Sequence, residues 1–132
     1  MIKNDHDTIL QELGTNLGLN LTFDDDRICE LYFDNRINIF IRSEDDDGAI
    51  IISTILAEKI SENINYNTIL DILNASADAY VHGGNIPVIG RDEETGFIIL
   101  YQICTASYLA QTKLIDTFTS FIQYYENISK NL

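Results

Sequence analysis

The chain has 132 residues, with twenty-one Asp and Glu against eight Lys and Arg, a formal charge of −13 and 45% hydrophobic residues. That length describes one domain, large enough to bury a core without disulfides or metal. No basic patch exists to hold phosphates, which excludes nucleic acid, and two Cys, two His and no Trp leave few reactive groups. The composition therefore favours a binder of apolar or basic polypeptide over an enzyme.

In chain order, Asp5 or Asp7 caps a first helix carrying Ile9, Leu10, Leu13 and Leu17 at helical spacing, and Gly18 ends it. Leu21 and Phe23 alternate around Thr22, the triple Asp at 24–26 turns or bulges, and Ile28–Phe33 reads as a strand. Asp34-Asn35 is a turn signal. Ile37–Arg42 alternates as a second strand, Ser43–Gly48 turns again, and Ala49–Leu56 is a third strand that either stops or runs into a short helical connection. A second helix is expected from Asn67 to Tyr80, ending at His82-Gly83-Gly84-Asn85. Ile86–Ile89 is a short strand whose Pro87 suits a sheet edge, because proline donates no ladder hydrogen bond. Gly90–Gly96 is a polar turn, Phe97–Cys104 is the most apolar strand, and a third helix runs from Tyr108 to Ile128. The order α-β-β-β-α-β-β-α predicts an α+β sandwich, an antiparallel sheet flanked by helices, in one domain over residues 1–132.

The motifs that suggest chemistry have plainer explanations. Reading Ser43–Gly48 as a calcium loop puts Thr54 where a bidentate Glu is required, so a solvated hairpin turn is expected and no metal site. His6 and His82 have no Ser or Cys at a nucleophile-like spacing, so no catalytic residue is assigned. Gly83-Gly84 lacks the continuation of a phosphate-binding loop. Cys29 and Cys104 sit in apolar strands and read as buried free thiols. No signal peptide or membrane helix is expected, which points to the cytoplasm, and no cofactor is implied.

Strand parity locates a candidate binding surface. Glu30 faces solvent, so Ile28 and Tyr32 share its face while Cys29, Leu31 and Phe33 point to the core. Asn38 and Arg42 place Phe40 outward, and Ser53 places Ile51 outward. Ile28, Tyr32, Phe40 and Ile51 then form an apolar row among charges, a groove for partner side chains unless the first helix covers it. The run Phe97–Cys104 is apolar on both faces, and one face lacks an obvious cover within a single chain. A homodimer would supply it, with Ile69, Leu73, Ala77 and Tyr80 of the second helix and Ile98 and Leu100 of the strand at the interface.

Residues 10–34 (LQELGTNLGLNLTFDDDRICELYFD), 69–84 and 85–101, with Glu94-Thr95-Gly96 in a late hairpin turn, resemble the class I chaperones of bacterial type III secretion systems, the CesT/SicP-like effector chaperones. The resemblance implies a homodimer joined through the second helix and late strands. It also implies capture of an effector's N-terminal segment in extended form, without nucleotide or catalysis, and a candidate further contact with the secretion ATPase. Residues 57–66 match nothing in that pattern. The competing expectations are a YbjN-like regulatory or stress domain of the same architecture, or a small-ligand-binding domain.

Overall fold

The computed structural model describes residues 5–44, 46–60, 62–81 and 85–130, without the side chains of 79–81. Helix α1 (Asp5–Leu17) is followed by strands β1 (Ile28–Phe33), β2 (Ile37–Glu44) and β3 (Ala49–Ala57). Then come α2 (Tyr66–Val81), β4 (Val88–Arg91), β5 (Ile98–Cys104), α3 (Ala106–Gln111) and α4 (Leu114–Ser129). The strands form one antiparallel sheet in the order β1-β2-β3-β5-β4. The α+β class and the antiparallel sheet agree with the sequence.

Helix α1 ends where Gly18 takes φ +71°, and the Leu19 N–H donates to the Gly14 carbonyl at 2.8 Å. This i to i+5 bond closes the last turn, and only glycine enters that conformation without strain. Asp34 and Asn35 both adopt positive φ between β1 and β2, as a tight hairpin turn requires. The acidic run after Ser43 is the β2–β3 hairpin turn, where Asp47 Oδ1 accepts the Ala49 N–H at 3.0 Å; Asp45 lies outside the described residues, as does the His82-Gly83-Gly84 helix end.

The third helix differs from expectation. It begins at Ala106 and breaks at Thr112 and Lys113, both extended, before restarting as α4. Thr105 caps α3 by accepting the Tyr108 N–H, and Tyr108 Oη sits 2.8 Å from Thr117 Oγ1, which holds the two pieces together. The short β4 begins at Val88, two residues later than the pattern suggests, directly after Pro87 at the sheet edge.

One core joins α1 and α4 to one face of the sheet. Leu10 and Leu13 of α1, Phe118 and Phe121 of α4, and Leu31, Ile39, Ile41, Ile50, Ile52 and Leu100 of the strands are all at most 5% exposed. The Phe33 ring meets Phe118 edge to face at 5.4 Å between centroids. Because α1 lies on this face, it does not cover the opposite face of β1–β3. Helix α2 packs mainly on β4 at the sheet edge. No helix among the described residues is long and apolar enough to cross a membrane.

Candidate functional site

The open face of the sheet is built by strand register. Ile28 pairs with Arg42, Arg42 with Ile51, and Ile51 with Ile103, giving one row across four strands. One step along the strands, Glu30 pairs with Phe40, Phe40 with Ser53, Ser53 with Tyr101, and Tyr101 with Val88. Since alternate residues share a face, both rows point away from the core. They enclose a groove of about 440 Å³.

This arrangement brings three of the four expected binding residues together. Ile28, Phe40 and Ile51 line the groove and are half-buried. Tyr32, 61% exposed, stands on the same sheet face but outside the groove. Sequence parity missed the other wall, which β5 supplies through Ile99, Tyr101 and Ile103. The alternation of β5 contained that signal, but the residues of β3 that it pairs with are 41 or more positions away and sequence does not state the strand order. The groove is not wholly apolar. Arg42 Nε lies 2.6 Å from Glu44 Oε1, an exposed pair, and Ser53 sits at the floor.

The expected second-copy interface needs correction at two positions. Ile98 is 4% exposed and Leu100 is fully buried, both in the chain's own core. Leu100 therefore presents no surface to a second molecule, and Ile98 only a sliver at the hollow beside α2. Gln102, of the same parity, is also buried and donates Nε2–H to the Asn85 carbonyl at 2.9 Å. On α2, Ile69 and Leu73 are 40% and 59% exposed and Ala77 is exposed, while Tyr80's side chain lies outside the described set. Tyr66 and Leu70 add to the same exposed apolar helix. A smaller hollow of about 160 Å³ lies between α2 and β4, lined by Ile72, Ile89 and Arg91 among others.

His6 did acquire a serine neighbour in space. Its Nδ1 lies 2.5 Å from Ser43 Oγ and its Nε2 2.9 Å from the Gly48 carbonyl, with both side chains buried. A carbonyl only accepts, so Nε2 carries a proton and donates it to Gly48. The group is held in the core between α1 and the β2–β3 hairpin and offers no nucleophile to solvent. Cys29 and Cys104 are free and buried as expected. Burial pushes the Cys104 thiol up to about 12. Burial, with a smaller contribution from Asp24, also raises Cys29, against a backbone hydrogen bond from Thr22.

A model of the Tir chaperone protein (CesT) family matches residues 8–129. Among curated proteins none matches the chain in sequence. Among solved structures, the chain is similar to one from the HopA1–SchA chaperone–effector complex, with TM-score 0.77 and 18% identity over 95% of this chain and 93% of that one. It is similar to one from the complex of the Yersinia pestis type III secretion chaperone SycH with a stable fragment of YscM2, with TM-score 0.67 and 12% identity over 93% and 98%. A third, from the ExoT–SpcS complex of Pseudomonas aeruginosa, gives TM-score 0.64 and 14% identity over 96% and 98%. At these identities the solved structures establish the fold.

Proposed function

Because the chain belongs to the Tir chaperone protein (CesT) family, we propose that it is a cytoplasmic, non-catalytic chaperone. It binds the N-terminal segment of a type III secreted effector and keeps that segment soluble and export-competent. The observation that carries this reading is the uncovered apolar groove on the sheet, lined by Ile28, Phe40 and Ile51. Clustered apolar surface of that kind marks an interaction site, and an extended polypeptide can fill it with alternate side chains. Ordering such a segment costs several kcal/mol, so a broad apolar surface is required in compensation. The likeness to a structure from the HopA1–SchA chaperone–effector complex supports the same assignment.

The active form is a homodimer. Support comes from α2, where Tyr66, Ile69, Leu70 and Leu73 are between 37% and 71% exposed, uncovered by the other described residues. A second copy would bury this face. The secretion ATPase is a further partner within this reading, and the net charge of −13 suits a basic docking surface on it.

The test is purification of the tagged protein from its native cells, followed by limited proteolysis of what it retains. A protected N-terminal fragment of a secreted protein is expected. Retention of nothing, or protection of a folded domain instead of an N-terminal segment, would overturn the proposal.

A further inference from the structure

The groove has a notch. In the row Glu30–Phe40–Ser53–Tyr101, the small Ser53 lies between two aromatic side chains, one on each neighbouring strand. Ile51 precedes it on the same face of β3, and Ile55, 41% exposed, follows. A short side chain between large ones leaves a recess in the lining of the groove. At the β1 end the row finishes on Glu30, which is exposed and has no ion-pair partner among the described residues. β1 is an edge strand, so the groove is open there to incoming chain.

Resting on the effector-binding reading above, we infer that Ser53 sets both selectivity and register of the bound segment. The notch takes one Leu, Ile or Phe side chain, and Glu30 pairs with a Lys or Arg of the same segment. Charge complementarity favours this occupant: a chain at −13 with a free carboxylate at the groove mouth attracts a basic peptide. Two strand spacings separate Ser53 from Glu30, about 10 Å. An extended segment lying along the row advances about 6.6 Å per two residues and alternate side chains share a face, so the basic residue sits two positions from the anchor, with the length of its own side chain covering the rest. Arg42, in the adjacent row, is paired with Glu44 at 2.6 Å and does not cancel the attraction.

The probe is a labelled synthetic peptide of about nine residues, long enough to cross the groove at roughly 3.3 Å per residue. It is Ser/Thr-rich with one central Leu and one Lys two residues on. Binding is read by anisotropy and by backbone amide shifts of the intact protein. Exchanging Leu for Ala, or Lys for Glu, should weaken binding about tenfold, as loss of one buried apolar anchor or one charge contact implies. Ser53→Leu fills the notch and should weaken the parent peptide about tenfold as well, whereas Ser53→Ala deepens it and should bind at least as well. Equal binding by all peptides, undiminished binding to Ser53→Leu, or no binding at all would overturn the inference. Groove amides that shift on dilution without peptide would also overturn it, because a second copy would then be the occupant. Failure here is separable from failure of the chaperone reading. If Phe40→Asp still abolishes capture of the fragment recovered from native cells, the groove stands and only the notch falls.

Discussion

His6 Nδ1 lies 2.5 Å from Ser43 Oγ, a contact that ties the first turn of α1 to β2 across 37 residues of sequence. Arg27 extends the tie: its guanidinium meets Asp7 of α1 at 2.8 Å and Ser43 Oγ at 3.4 Å, and stacks over the Phe23 ring. Polar groups of this kind cost little when satisfied and much when orphaned. His6→Ala should therefore destabilise the chain by about 1–3 kcal/mol in urea unfolding, because the Gly48 carbonyl and Ser43 lose a buried partner. The outer groove lies on the other face, so the variant should retain partner capture below its melting temperature.

Two apolar-to-acid substitutions should separate folding from association. Leu100→Asp places a charge in the core, where the native side chain is fully buried, and should leave no folded protein by circular dichroism. Leu73→Asp alters a side chain that is 59% exposed on α2 and should leave the fold intact. Light scattering on the purified Leu73 variant should fall from twice the 15.0 kDa chain mass to the chain mass itself.

Phe40→Asp tests the groove without touching the core. Phe40 is half-buried on the open face, beside Ser53 and Glu30. The substitution should abolish capture of the N-terminal effector fragment while changing the melting temperature by only a few degrees. A collapsed melting temperature would place Phe40 in the core and shift the strand register by one residue.

Alkaline pH should expose the buried thiols. The folded-state pKa of Cys104 is raised by burial from 9.0 to about 12. Below about 9 both folded and unfolded chains hold the proton, and the stabilising preference is fully present. Between 9 and 12 the unfolded chain ionises first and binds fewer protons, so stability falls as pH rises. Cys104→Ala should flatten that part of the pH profile relative to the parent protein. Cys29 acts in the same direction. A thiol-specific reagent at pH 8 should label Cys104 only at the rate of unfolding, since its side chain is wholly buried.

The sequence by itself determined which face each side chain of β1–β3 occupies. Period-two alternation is a local property, and with Glu30, Asn38 and Arg42 marking solvent it sent Leu31, Ile39 and Ile41 inward and Phe40 and Ile51 outward. It also determined the hairpin turns and the end of α1, because positive φ at Gly18 and Asn35 is written in single residues. It misjudged Ile98 and Leu100, because a strand apolar on both faces does not say which face lies under the chain's own helices, and these two joined the core with α1 and α4. The break between α3 and α4 was likewise invisible: the apolar spacing continues through it, while Tyr108 and Thr117 hold the two pieces across it. Only the tertiary structure decided that β5 lies beside β3, and hence that Tyr101 stands opposite Ser53 and completes the groove. Strand order is set by how the whole chain closes its core, a global free-energy minimum that no window of residues encodes.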